Sequence, residues 1–266
     1  MISDYTICVL LFGDYNKLAR RCLVPLRGLR EQTDVRVGLN QVCENTREIA
    51  AAVATTGHIW EYTENRHKYP VMREMIQGVA PITTPYTMWF DDDSYIDVPL
   101  DHFFGAVDKT MANADMLGSL YTLGWIGQQR EFVRSQSWYN GKDPNDHPKI
   151  RFATGGWWCI RTELLYKFNY PWPDLDHRGG DVMLGELMYQ QDLRLKHFKY
   201  GVKINADDAG RESQAARRGF DQPPFGAHFD VGISETLHRA TGSPPLTTSQ
   251  QESPPLQPRR RRIIEL

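Results

Sequence analysis

The sequence is short of the features that would place it quickly. Of its 266 residues four are cysteine, Cys8, Cys22, Cys43 and Cys159, and none forms a C-x-x-C pair. That spacing argues against a zinc site, and free, buried thiols in a reducing compartment are expected instead. No run of about eighteen apolar residues occurs, so no membrane span is predicted. The opening MISDYTICVLLFGDY begins acidic and its apolar run is short, which is unlike a secretory signal; a cytoplasmic protein is expected. The formal net charge of -2 gives no global electrostatic reason for a nucleic-acid partner. There is no G-x-x-x-x-G-K-[ST] loop, no G-x-G-x-x-G after the first apolar run and no G-x-S-x-G elbow. These absences count against a P-loop nucleotidase, a dinucleotide oxidoreductase and an α/β-hydrolase.

What is present is enough apolar sequence, 41%, to bury a substantial core. Seven Trp and twelve Tyr can fill that core or stack on sugar rings and bases. Tyr5 to Phe12 (YTICVLLF) is a continuous apolar run closed by Gly13-Asp14, the pattern of a strand buried on both faces. From Tyr15 to Arg30 apolar residues recur near helical spacing with basic residues between them, an amphipathic helix with Asn16 as its cap and a kink at Pro25. Strands are predicted over 35–42, 58–62 and 85–90, and helices over 45–55 and 69–78. Strands alternating with helices imply an α/β layer fold with a mainly parallel sheet flanked by helices. Ligands collect at the carboxyl ends of such strands, so the loops after Phe12, Val42, Tyr62 and Phe90 should share one rim.

The second half is less regular. A strand is read over 114–121, a polar and aromatic surface excursion over 132–148, a Gly-Trp segment over 152–160, and helices over 162–168 and 182–191. After Ala240 the composition shifts to Pro, Ser, Thr and Gln and ends in Arg259–Arg262, a disordered tail by composition. The arginines can meet an anionic partner or simply be solvated.

Three consecutive aspartates, Asp91, Asp92 and Asp93, follow the apolar run PYTMWF. Their mutual repulsion does nothing for folding. A hard divalent cation, Mn²⁺ or Mg²⁺, would relieve it; a solvated turn capped by Asp93 or Ser94 is the other reading. Asp181 follows Gly179-Gly180 at a helix start, where free amides favour an ionised carboxylate. It can act as a proton acceptor, as a helix cap, or as both. In TGGWWCIR, Gly155 and Gly156 leave space and adjacent Trp157 and Trp158 should point to opposite sides of a strand. Lys68, with Arg66 and Arg73 nearby, can pair with a phosphate or belong to a charged surface.

The phrase PYTMWFDDDSYI resembles the DxD segment of GT-A-fold, Rossmann-like glycosyltransferases, particularly the family 2-like group, and ICVLLFGDYNKL is similar to that family's first strand and nucleotide-contacting loop. The chain departs from the family at 12–16, where a Pro-Thr-Tyr-Asn-like loop is usual, and at Asn40, where an acidic residue is usual. The resemblance implies one domain over 1–240, with a nucleotide-binding half at about 1–100 and an acceptor half at about 101–240, and the tail at 241–266. It implies an inverting glycosyltransferase moving a sugar from a nucleotide-sugar donor, a UDP-sugar by family habit, to a hydroxyl acceptor. Asp91, Asp93 and a late histidine, His228 or next His238, would hold the metal. Phe12, Asp14, Tyr15, Asn40, Lys68 and Asp92 would contact the nucleotide. Asp181, or next Glu186, would be the base, and Gly155, Gly156, Trp157 or Trp158 would line the sugar and acceptor sites. A glycan, lipid, protein, small molecule or modified nucleic acid all remain open as acceptor. A sugar-nucleotide nucleotidyltransferase, or a non-catalytic carbohydrate-binding protein of this fold, are the alternatives.

Overall fold

A computed structural model describes residues 1–124, 130–144, 149–175 and 179–204. His228, His238, the Arg259–Arg262 cluster and the whole predicted tail lie outside the described residues.

The first strand, β1 (Tyr5–Phe12), falls where its apolar run predicts, and its residues from Tyr5 to Leu11 are buried. Helix α1 (Asn16–Leu23) is shorter than its periodicity suggests. Pro25 lacks an N–H and its ring crowds the preceding turn, so the chain leaves the α-helix there. It continues in 3-10 turns at Val24–Leu26 and Leu29–Glu31, hinged at Gly28 with φ of 82°. Asn16 is the first helical residue, not the cap; Tyr15 occupies that position. There follow β2 (Val35–Asn40), α2 (Glu44–Val53), β3 (Ile59–Tyr62), α3 (Lys68–Gln77) and β4 (Tyr86–Asp91). The second half holds β5 (Tyr95–Ile96), α4 (Leu100–Met111), β6 (Met116–Gly124), α5 (Arg130–Ser135), β7 (Lys149–Arg161), α6 (Thr162–Lys167), α7 (Gly180–Gln190), β8 (Leu195–His197) and β9 (Val202–Lys203).

Seven strands form one sheet in the order β3-β2-β1-β4-β7-β6-β8, and β5 pairs with β9 in a small second sheet. The pairs β1–β2, β1–β4, β2–β3 and β6–β8 are parallel, while β7 runs against β4 and β6. The fold is therefore α/β with a mainly parallel sheet. Register sets Phe12 beside Asn40 and Asn40 beside Tyr62, so the carboxyl ends of the first strands do share one rim. The connections from β1 to β2 and from β3 to β4 lead to opposite sides of β1. Such a reversal opens a crevice at the carboxyl ends of the two strands that flank it, here β1 and β4.

Alternation along each strand sorts side chains between two layers. Ile7, Val9, Leu11, Met88 and Phe90 join one core with residues of α1, α2 and α4. On the opposite face, a Cβ at Gly38 would stand 2.9 Å from Met75 Sδ of α3, so the glycine allows that helix to lie close. Trp89 and Trp158 stack on the same side, with ring centroids 6.1 Å apart. The segment read as a surface excursion is in part core: α5 buries Phe132 and Val133, and Trp138 is buried with its ring centroid 5.2 Å from that of Trp172. Cys8, Cys22 and Cys159 are buried free thiols. Among the described residues no helix is long and apolar enough to cross a membrane.

Candidate functional site

Asp91 closes β4 on the same sheet face as Trp89, two residues before it. The Trp89 indole Nε1–H donates to Asp91 Oδ1 at 2.8 Å. Lys68, the first residue of α3, donates from Nζ to Asp91 Oδ2 at 2.6 Å and to the carbonyl oxygen of Gly155 on β7 at 3.0 Å. The third element is α7. Gly179 takes the left-handed conformation with φ of 79°, turning the chain into the helix so that Asp181 stands in its first turn. The Asp181 backbone N–H donates to the Tyr69 hydroxyl at 3.1 Å. A Cβ on Gly180 would sit 2.3 Å from the Tyr69 ring, so only glycine lets α7 approach this closely. A Cβ on Gly155 would lie 3.2 Å from Lys68 Nζ and 3.6 Å from Asp181 Oδ2. Lys68, Asp91, Gly155 and Asp181, drawn from four elements, thus meet at the carboxyl end of β4. The amino ends of α3 and α7 meet there too, and both favour negative charge.

Burial dominates the electrostatics of the cluster. Burial raises the Asp181 carboxyl above the ordinary carboxylate value. The Lys68 ammonium and nearby backbone N–H groups oppose the shift, and the Asp91 carboxylate adds to it. Asp181 as a residue is half-buried. Burial likewise drives the Tyr69 hydroxyl well up.

After Asp91 the chain turns, with the Ser94 N–H donating to the Asp91 carbonyl at 3.0 Å. Asp92 and Asp93 are buried at 5% and 9% exposure, so the triplet is not a solvated turn. With Asp91 they push up the thiol of Cys22 on α1, an effect second to that thiol's own burial. Three carboxylates are the right chemistry for a hard cation. Yet among the described residues no three His, Cys, Asp or Glu side chains converge as a metal site, and both oxygens of Asp91 are already bonded to Lys68 and Trp89. The described residues therefore do not fit a resident metal ion held by Asp91.

The remaining predicted residues divide. Phe12 ends β1, and exposed Asp14 and buried Tyr15 lie in the loop after it, on the crevice rim. Asn40 ends β2 on that rim, but its side chain holds the loop after β3: Nδ2 donates to the Arg66 carbonyl at 2.7 Å and Oδ1 accepts from the Arg66 N–H at 3.1 Å. It thereby helps place Lys68, two residues on. Trp157 and Trp158 do point to opposite faces, but both are core, at 0% and 1% exposure. Trp157 packs with Phe103 and Phe198, and Trp158 with Trp89 and Tyr170; neither offers an open face to a sugar. Glu186 lies five residues beyond Asp181 on α7, fully buried, and accepts from Gln190 Nε2 at 2.8 Å; it is not part of the cluster. Two contributors carried little sequence signal. Trp89 is detectable as the residue two before Asp91 on one strand face. Tyr69 is placed against Gly180 by tertiary contact alone.

No protein-family model matches the sequence, and no curated protein matches it. Solved structures do resemble it. The mannosyltransferase PcManGT from Pyrobaculum calidifontis, in complex with GDP-Man and Mn²⁺, is similar at 16% identity and a TM-score of 0.48, over 74% of this chain and 55% of that one. S. aureus TarS 1-349 is similar at 12% identity and a TM-score of 0.48, over 80% of this chain and 64% of that one. HddC from Yersinia pseudotuberculosis is similar at 10% identity and a TM-score of 0.44, over 80% of this chain and 100% of that one. The chain thus spans little more than half of PcManGT and under two thirds of TarS 1-349. Likeness at these values assigns no residue its role.

Proposed function

We propose that this chain is a glycosyltransferase that moves a sugar from a nucleotide-sugar donor, taken as a UDP-sugar, to a hydroxyl acceptor with inversion. The observation that carries the reading is Asp181. A carboxylate with a raised affinity for protons stands beside Lys68, Asp91 and Gly155 at the carboxyl end of β4. Raising a carboxylate's pKa toward neutrality improves it as a general base. The sequence resemblance to GT-A enzymes points to the same residue.

In this reading the donor diphosphate lies in the crevice between the ends of β1 and β4, where the amino ends of α3 and α7 favour its charge. The sugar lies against Gly155 and Gly156, where side chains are absent. Asp181 takes the proton of the acceptor hydroxyl as its oxygen bonds to the anomeric carbon. The bond from that carbon to the diphosphate oxygen breaks, and its electron pair leaves with the nucleotide. One displacement with one base inverts the anomeric centre. Loss of a positioned base costs about 10²–10⁴ in rate.

The test is a donor-by-acceptor screen read by mass spectrometry together with release of the nucleoside diphosphate. Transfer by the native chain, lost in Asp181→Asn while donor binding persists, supports the reading. Release of pyrophosphate instead would show nucleotidyl transfer. Tight glycan binding without turnover on any donor would show a binding module. A fully active Asp181→Asn would move the base elsewhere.

A further inference from the structure

We infer that the cation belonging to Asp91 is the ammonium of Lys68, which stands where a divalent ion would otherwise be held and is the charge offered to the departing diphosphate. The ion pair is short, 2.6 Å, and sheltered: the Lys68 and Asp91 side chains are 15% and 25% exposed. Lys68 is fixed from a second direction by the carbonyl of Gly155 at 3.0 Å, and the absence of a side chain at Gly155 makes room for it. Asp91 is fixed by the Trp89 indole on its other oxygen. Asn40, through its two bonds to Arg66, sets the loop from which Lys68 reaches in. A metal ion on Asp91 would have to displace a bonded ammonium and then sit beside it, with like charges a few ångströms apart in a poorly screened pocket. A nucleoside diphosphate brings negative charge, so Lys68 can turn from Asp91 to a phosphate oxygen without leaving its place. No proton moves in this exchange: the ammonium stays charged, and the leaving oxygen keeps the electron pair of the broken bond.

The role for Lys68 in the reaction rests on the glycosyltransferase reading; the ion pair's exclusion of metal does not. The discriminating measurement is Mn²⁺ binding to the full chain without any sugar donor, followed by the electron paramagnetic resonance of free Mn²⁺. Asp91→Asn is expected to bind Mn²⁺ within about twofold of the native chain. Lys68→Met, which leaves Asp91 without its counter-charge, is expected to bind at least tenfold more tightly, and Lys68→Met with Asp91→Asn is expected to lose that gain. Lys68→Gln repeats the test if the methionine variant does not fold. A tenfold or greater loss of Mn²⁺ in Asp91→Asn, or no gain on removing Lys68, overturns the assignment. With UDP as probe in the presence of a chelator, Lys68→Met should weaken binding at least tenfold and Lys68→Arg should retain most of it. Equal UDP binding by all three removes Lys68 from the diphosphate. Absence of glycosyl transfer in the donor screen leaves the Mn²⁺ result standing, so the two readings fail separately.

Discussion

Glu186 offers a stability test that needs no substrate. Its side chain is buried within α7. Oε1 accepts from Gln190 Nε2 at 2.8 Å, while Oε2 is buried with no hydrogen-bond partner among the described residues. Burial pushes the carboxyl from 4.5 up to about 7; Asp143 adds to the shift, and the Gln190 hydrogen bond and Lys142 ammonium oppose it. The native state therefore holds a proton that the unfolded chain has already released. A raised carboxyl contributes its full stability below the unfolded value and loses it as the pH rises through the folded value. Between pH 5 and pH 8 the loss from this one group is roughly 2–3 kcal/mol. Glu186→Gln cannot ionise. Its carbonyl can still accept from Gln190, but its amide N–H₂ takes the unpartnered position, which costs about 1–2 kcal/mol. The variant should be less stable than the native chain at pH 5 and equal or better at pH 8. Urea unfolding at both values, with unchanged slope, measures the difference, and comparing the two proteins cancels the other titrating groups. An equal loss of stability in both between pH 5 and pH 8 would refute the assignment of a raised carboxyl to Glu186.

The acidic limb of the pH–rate profile for transfer should lie above the usual carboxylate range, because the base acts ionised and burial raises Asp181; a limb at about pH 4 or below would contradict this. Gly180→Ala should cost about 1–3 kcal/mol and lower transfer at least tenfold, since its Cβ would press on the Tyr69 ring. Gly105→Ala on α4, where a Cβ meets nothing within 4 Å, should stabilise by up to about 1 kcal/mol, and denaturant midpoints compare the two. Trp158→Ala should cost about 3–5 kcal/mol, measured by the same unfolding, because Trp158 stacks on Trp89 within the core; a nearly neutral change would mean that its ring is not core.

Legibility followed the kind of signal each segment carries. A strand buried on both faces needs an unbroken apolar run, and β1 is readable at both ends for that reason. Helix α1 was readable at its start, but periodicity continues through Pro25 while the backbone cannot, so its end was misplaced by about two turns. The short strands β5, β8 and β9 hold two or three residues each, too few for any period to appear. The aromatic residues of 132–138 look like surface among polar neighbours and are core only because Trp172, far along the chain, lies against Trp138. Adjacent Trp157 and Trp158 announced alternation correctly, but alternation says only that they part, not that either side is open.

The amino-acid sequence by itself determined the alternation of strands and helices, hence the shared rim and the position of the aspartates at the end of a buried strand. Apolar periodicity encodes such features locally. Only the tertiary structure decided what Asp91 does there. Residues 68, 91, 155 and 181 come from four elements that the sheet order and two close helix approaches bring together. The pairing of Lys68 with Asp91 depends on side-chain direction across those elements, and no spacing along the chain records it.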